Sequence, residues 1–104
     1  MVNGDITTLQ FNEFGENLGT RQLGKITYDK LISLMDSYQK IILDFSGVNV
    51  VSNSFADECL AKLLLIMTLD EIKQRTTFKN VNDLAKTTIA AAFKRRLISA
   101  VESH

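Results

Sequence analysis

The sequence predicts a small α/β domain in which a mixed or mostly parallel sheet is flanked by helices. Strand-like and helix-like hydrophobic patterns alternate three times along the chain, and this order is typical of helices packed on a largely parallel sheet. The segment KIILDF (40–45) also carries a continuous apolar run, which indicates a strand buried on both faces. With 104 residues, 45% of them hydrophobic, the chain predicts one domain, 1–104, with a single core.

The first three predicted elements are a strand, a loop and a helix. The segment DITTLQF (5–11) alternates apolar residues with threonines, as half-buried strands do. Residues 12–24 include three of the five glycines and predict a loop. Residues 25–39 place apolar side chains such as Leu31 and Met35 at helical spacing, which indicates an amphipathic helix.

The elements that follow the strand at 40–45 continue the alternation. Gly47 allows a turn after this strand, because glycine takes positive φ without steric cost. A second helix is predicted over 54–67, and TLDEIKQR (68–75) predicts a separate short helix.

The last two predicted elements are a strand and a long helix. The segment TTFKNV (76–81) is enriched in residues that favour strands. The helix is predicted over 82–101, with Asn82 as its cap. Six residues of this helix are predicted to face the core: Leu84, Thr88, Ile89, Ala92, Phe93 and Leu97.

The predicted helix over 54–67 begins at a serine. We predict that Ser54 caps this helix, because serine is among the preferred N-cap residues. Asp57 and Glu58 then fall in the first turn, where acidic side chains complement the helix dipole. Glu58 is also spaced for an ion pair with Lys62.

The same predicted helix is apolar around most of its circumference. A helix that is apolar on all sides is either enclosed or exposes a patch, and a small domain encloses few elements completely. We therefore expect part of the segment LLIM (64–67) to be exposed or covered by a second copy. The alternative is that the segment 68–75 folds back over it.

Composition argues against several classes of partner. Twelve basic and twelve acidic side chains cancel, so we expect neither nucleic acid nor an anionic membrane as a partner. The longest apolar stretch, LLLIM (63–67), is too short to span a bilayer. The single cysteine, Cys59, cannot form an internal disulfide, and the first residues lack a signal-peptide pattern, so we expect a cytoplasmic protein.

The sequence predicts no catalytic residue. The one histidine, His104, is the last residue, and Cys59 lies in an apolar segment typical of buried, inert thiols. The segment GTRQLGK (19–25) has the glycine and lysine spacing of a phosphate-binding loop, but Ile26 stands where a serine or threonine is needed. We expect neither a metal ion nor another cofactor.

The stretch ILDFSGVNVVSNSFADECLAKL (42–63) resembles the signature of STAS domains, the fold of the anti-sigma factor antagonists. It is more similar still to the STAS-like domain family of unknown function, with a DF-x-G-V strand end at 44–48 and an S-F-A-D-E helix start at 54–58. A weaker resemblance extends over most of the chain. It implies a STAS-like sheet of about four strands flanked by helices.

The chain departs from the antagonist pattern at the position that matters for regulation. Asn53 stands where the antagonists carry a phosphorylated serine, and asparagine cannot be phosphorylated. The resemblance therefore implies a non-enzymatic interaction or regulatory module. It would dock on a protein partner, such as a histidine-kinase-type ATPase regulator, through the loop and helix at 52–67. The candidate partner-binding or switch residues are Ser52, Asn53, Ser54, Phe55, Asp57 and Glu58.

Two alternatives stay open at this point. One is a switch: a phosphate on Ser52 or Ser54, or Mg²⁺ bound by Asp44, Asp57 and Glu58, since carboxylates are the ligands Mg²⁺ prefers. The other is a structural domain that self-associates, for example as a homodimer.

Overall fold

The computed structural model describes residues 3–102, and it describes side chains from residue 4 to residue 100. Strands and helices alternate along most of the chain, as predicted. The strands are β1 (Asn3–Gln10), β2 (Asn17–Leu18), β3 (Tyr38–Asp44), β4 (Val50–Val51) and β5 (Thr76–Lys79). The helices are α1 (Arg21–Ser37), α2 (Asn53–Cys59), α3 (Leu69–Arg75) and α4 (Asp83–Glu102), with 3-10 helices at Phe11–Phe14 and Ala61–Leu65.

The main sheet has three parallel strands in the order β1-β3-β5. In its register, Leu9 lies beside Leu43, which lies beside Phe78. The two-residue strands β2 and β4 pair in a separate parallel ribbon. The predicted fold class, an α/β domain with a mostly parallel sheet, is confirmed. The main sheet has three strands rather than the four that the resemblance implied.

Only one face of the main sheet is fully buried. Leu9, Ile41 and Leu43 on that face are almost inaccessible to solvent. On the opposite face, the neighbours Thr8 and Thr77 are exposed and Ile42 between them is half-buried. The prediction that β3 is buried on both faces was therefore wrong, because the helices cover one side of the sheet and leave the middle of the other open.

Helix α1 begins four residues earlier than predicted. Thr20 caps it, with its hydroxyl accepting a hydrogen bond from the Leu23 N–H at 3.0 Å. Gly24 therefore lies inside a helix, where it packs against α2: an added Cβ would lie 3.0 Å from the Glu58 Cβ and 3.3 Å from the Phe55 carbonyl oxygen. The resemblance of 19–25 to a phosphate-binding loop has a structural explanation, which is the close approach of two helices.

The segment predicted as one helix over 54–67 consists of two elements. Helix α2 ends at Cys59, and a 3-10 helix follows from Ala61 to Leu65. The prediction of a continuous helix was wrong. The 3-10 geometry places residues three positions apart on the same side, so that Leu60 and Leu63 both reach the core, where each is fully buried.

The last two helices both begin at residues whose side chains cap them. The Thr68 side chain and Glu71 form a capping box at the start of α3. Asn82 accepts a hydrogen bond from the Ala85 N–H at 2.8 Å, as expected for the cap of α4.

The predicted inner face of α4 was only partly right. Ile89 and Ala92 are buried, but Leu84 is 69% exposed and Leu97 is 38% exposed. Compared with the prediction, the buried face is shifted by one residue at the start of the helix, where Ala85 is buried and Leu84 is not. The small alanine lets α4 lie close to β4 and α2.

Three phenylalanines form the centre of the core. The rings of Phe11 and Phe45 are stacked with centroids 4.1 Å apart, and Phe55 meets Phe11 edge-on at 6.3 Å. Cys59 is fully buried nearby, and burial raises the pKa of its thiol. A protonated, enclosed thiol is inert, as the sequence indicated. Within residues 3–102, none of the helices is both long and apolar enough to cross a membrane.

Candidate functional site

The polar trio at the entrance of α2 is a helix cap, but the capping residue is Ser52. Its hydroxyl accepts a hydrogen bond from the Phe55 N–H at 3.0 Å. The prediction that Ser54 is the cap was wrong by two positions. The reason is tertiary: the Ser52 N–H donates to the Leu18 carbonyl at 2.9 Å, continuing the β2–β4 ribbon. This pairing holds residue 52 extended, so the helix begins immediately after it.

Ser52→Ala should lower the free energy of unfolding by about 1 kcal/mol, because it removes an N-cap. Ser54→Ala should change it by less than about 0.5 kcal/mol, since Ser54 lies inside the first turn. Urea melts of both variants measure the difference. Ser52→Asp serves as a control that keeps a capping side chain. A larger loss in Ser54→Ala than in Ser52→Ala would contradict the assignment.

The six candidate residues differ in how accessible they are. Asn53 is exposed, and Ser52 and Ser54 are half-buried. Phe55 belongs to the core, with no exposed surface, and Glu58 is also buried. Only the polar trio and part of Asp57 are therefore available to a partner of the folded domain.

Asp57 joins three helices. Its carboxylate accepts two hydrogen bonds from Arg96 of α4, at 2.7 and 3.0 Å, and one from Arg21 of α1 at 2.9 Å. The hydrogen bonds from Arg96 lower the pKa of Asp57 below its ordinary value, outweighing the opposite effect of partial burial. The carboxylate is thus fixed as an anion that ties α2 to its neighbours.

Glu58 lies beside Asp57 and also has basic neighbours. Its carboxylate is 3.7 Å from Arg21 and 3.7 Å from Lys62, which confirms the predicted ion pair along the helix. The Lys62 ammonium also lies 4.6 Å from the centre of the Tyr28 ring. Glu58 therefore belongs to a network that holds α1 against α2.

Asp44 lies in a different cluster, at the carboxyl end of β3. It accepts hydrogen bonds from the Ser46 N–H at 2.9 Å and from the Asn80 side chain at 3.2 Å. The bond from the Ser46 backbone is the main reason that its pKa is lowered. Asn80, at φ 59°, also donates to the Ser46 hydroxyl at 2.8 Å and joins the ends of β3 and β5.

The Mg²⁺ site suggested for Asp44, Asp57 and Glu58 does not form. In the part of the chain that the structure describes, no three residues among His, Cys, Asp and Glu are grouped closely enough to hold a metal ion. The physical reason is that Asp44 follows a strand and closes a turn, while Asp57 and Glu58 face arginines and a lysine. His104 lies outside the described residues.

The predicted apolar patch is present. Leu65 is 69% exposed and Ile66 is 59% exposed, whereas Leu64 and Met67 are half-buried against the core. The alternative, in which the segment 68–75 covers the patch, is wrong for these two residues. The groove beside the patch is lined by polar residues that include Thr68, Glu71 and Arg95, and not by the polar trio at 52–54.

Three polar contacts were missed by the sequence reasoning. Arg96 belongs to a basic run, KRR (94–96), inside α4, which continues to Glu102. Arg21 fell in a predicted loop, and Asn80 in a predicted strand. Each meets a carboxylate between 36 and 39 residues away. No local pattern reports contacts at such separations.

Comparison with known families supports the resemblance seen in the central motif. The STAS-like domain of unknown function matches residues 24–86 of this chain. The matched region runs from Gly24, in the contact between α1 and α2, to the first turn of α4, and it includes both acidic clusters. No curated protein and no solved structure matches the chain. The chain therefore belongs to the family of STAS-like domains of unknown function.

Proposed function

We propose that this chain is a non-enzymatic protein-interaction module that docks on a protein partner through the end of the 52–67 region. The observation that carries the proposal is the exposure of two adjacent large apolar residues, Leu65 and Ile66, at the end of a 3-10 helix. Exposed apolar surface that is contiguous usually marks an interaction site. The buried Ala61 and Leu63 anchor the helix, so the patch needs little ordering on binding.

The polar groups around α2 favour a structural role over catalysis. Ser52 caps the helix, and the carboxylates of Asp57 and Glu58 face basic side chains. A general base must lie within hydrogen-bond reach of the proton that it removes, and a nucleophile needs such a base beside it. Asp57 and Glu58 instead hold the helices α1, α2 and α4 together through ion pairs.

The partner class that we propose is a histidine-kinase-type ATPase regulator. The support is the resemblance of residues 42–63 to the anti-sigma factor antagonists. Because Asn53 replaces the phosphorylated serine, binding to such a regulator would not be switched off by phosphorylation at that position. Self-association through the same patch is the second candidate, favoured by the two exposed apolar side chains.

Leu65→Glu should leave the domain folded and weaken partner binding by at least about tenfold, as expected for an apolar residue at the centre of an interface. The side chain is mostly exposed, so the free energy of unfolding should change by less than about 0.5 kcal/mol. Binding is measured by calorimetry with the histidine-kinase-type ATPase domains encoded in the same genome. Sedimentation velocity on the isolated chain tests self-association.

Leu84→Glu is the matched control for this experiment. Leu84 has the same exposed fraction as Leu65, 69%, but lies at the start of α4 and does not line the groove beside the patch. Leu84→Glu should leave both binding and self-association unchanged. Unfolding of Leu65→Glu, or equal effects of the two variants, would refute the proposed docking surface.

A further inference from the structure

A second groove lies between the edge of the main sheet and helix α4. It has a volume of about 800 Å³ and is bounded on one side by α3 and β5 and on the other by α4. Phe78 of β5, 40% exposed, faces the groove together with the α4 residues Ile89, Ala90 and Phe93. This groove does not belong to the Leu65–Ile66 patch and goes beyond the function proposed above.

The strand that borders the groove has an open edge. In the order β1-β3-β5, strand β5 pairs with β3 on one side, and within residues 3–102 no strand pairs with its other side. An unpaired edge presents backbone N–H and C=O groups that can accept a further strand. Helix α4 packs on α2, β4 and the 3-10 helix at 61–65, which leaves the space next to β5 unfilled.

The charge along the groove has one sign. Lys73, Lys86 and Lys94 line it, and none of its lining residues is acidic. None of these three lysines forms an ion pair with another described side chain. In a chain of zero net charge, such a one-sided distribution favours an anionic occupant. It argues against a second copy, because a symmetric pairing of two β5 edges would bring the same lysines together.

The spacing of the lysines and apolar residues along α4 indicates which peptide sequence would fit the groove. Lys86 and Lys94 are eight positions apart on α4, which corresponds to about 12 Å along the helix. Ile89, Ala90 and Phe93 lie between them on the groove side. An extended chain covers about 13 Å in four residues, close to the spacing of the two lysines, and every second side chain points to the same face. The matching pattern is acidic, apolar, acidic at alternate positions.

We propose that this groove binds an extended acidic peptide segment of a partner protein, which adds to the main sheet as a fourth strand beside β5. Its backbone pairs with the open edge, its central apolar side chain packs on Phe78 and Phe93, and its two flanking carboxylates meet Lys86 and Lys94. Strand addition of this kind obtains affinity from the backbone and specificity from alternate side chains.

The probe for this site is a fluorescein-labelled peptide, Thr-Glu-Thr-Ile-Thr-Glu-Thr, blocked at both ends. Fluorescence anisotropy should show saturable binding to the full chain that weakens as salt is added. The same peptide with lysine in place of both glutamates should not bind. A version N-methylated at alternate residues should also lose binding, because it cannot form the backbone ladder. Amide resonances of Thr77 and Phe78 should shift on addition of the probe.

Two variants test whether the peptide binds in the groove between β5 and α4. Lys86→Glu combined with Lys94→Glu should weaken binding about tenfold or more, since each exposed ion pair contributes a few-fold. Ala90→Gln should obstruct the groove and also weaken binding. All three positions are exposed, so these variants should remain folded. The control is Lys25→Glu combined with Lys30→Glu, two exposed lysines of α1 outside the groove, which should bind as the wild type does.

Several outcomes would overturn the proposal. These are no binding of the acidic peptide at millimolar concentration, equal binding of the lysine peptide, or equal binding of the N-methylated peptide. Salt-insensitive binding that the Lys86→Glu and Lys94→Glu changes do not affect would also refute it. Leu65→Glu should leave peptide binding unchanged, so that failure here and failure of the proposed function are separate results.

Discussion

Replacing Phe55 by alanine should lower the free energy of unfolding by about 3–5 kcal/mol, the range for large aromatic residues in a core. Phe55 has no exposed surface and packs edge-on against Phe11, which is itself stacked on Phe45. Alanine would leave a cavity where three elements meet. A domain of this size has a total stability of about 5–15 kcal/mol, so the loss is a large fraction of the whole. Urea denaturation followed by circular dichroism measures it.

Leu84→Ala is the control for the cavity. It also truncates a large apolar side chain, but one that is 69% exposed, and it should change stability by less than about 0.5 kcal/mol. A loss below about 1 kcal/mol in Phe55→Ala would contradict the core position assigned to this ring. The comparison also bears on function. A Phe55 variant that fails to bind a partner would report unfolding rather than a lost contact.

The second large effect is expected at Asp57. Asp57→Asn should lower stability at neutral pH by about 2 kcal/mol, between the values for exposed and buried ion pairs. The carboxylate and Arg96 are both mostly shielded, with side chains 22% and 26% exposed, while Arg21 is half exposed and contributes less. The substitution leaves Arg96 without the anion that accepts both of its hydrogen bonds.

The effect of Asp57→Asn should depend on pH. The pKa of Asp57 is lowered in the folded state, chiefly by the hydrogen bonds from Arg96, so the wild type gains stability from this group above the unfolded pKa of about 4. That contribution disappears as the pH falls through the lowered folded-state pKa. The difference in stability between wild type and Asp57→Asn should therefore be full at pH 7 and should shrink below about pH 4.

Denaturation midpoints at pH 7 and in the acidic range test this expectation. Asp29→Asn, at an exposed position of α1, is the matched control and should match the wild type at both pH values. If the loss in Asp57→Asn were the same at every pH, the carboxylate charge would not be its cause. Asp44 also has a lowered pKa, so the wild type itself should lose stability in acid; only the difference between the two proteins isolates Asp57.

The apolar patch shows what a local sequence pattern can predict and what it cannot. The sequence indicated that residues 59–67 were too apolar to be enclosed by so small a domain, and Leu65 and Ile66 are indeed exposed. The pattern could not show that the helix breaks after Cys59. That break depends on which side chains the core can accommodate, and the core is built from segments distant in sequence.

The helix cap illustrates the same limit at a single residue. Ser52 and Ser54 have equal intrinsic capping ability, and Ser54 has the more favourable acidic residues behind it. The choice is made by the hydrogen bond from Ser52 to Leu18, 34 residues earlier in the chain. A local rule ranks candidates correctly only when no distant strand fixes the backbone between them.

By itself, the sequence determined the α/β class, the order of the main elements, the cap at Asn82, and the buried Cys59, because each depends on periodicity or on neighbours within a few residues. The tertiary structure alone decided the start of α2, the exposed second face of the sheet, the two arginines on Asp57, and the groove between β5 and α4. The start of α2 and the arginines on Asp57 depend on contacts between residues 34 to 39 positions apart. The other two features depend on how whole elements pack against one another. The pattern of apolar and polar side chains indicates which face of a segment is buried, but it does not indicate which other segment covers that face.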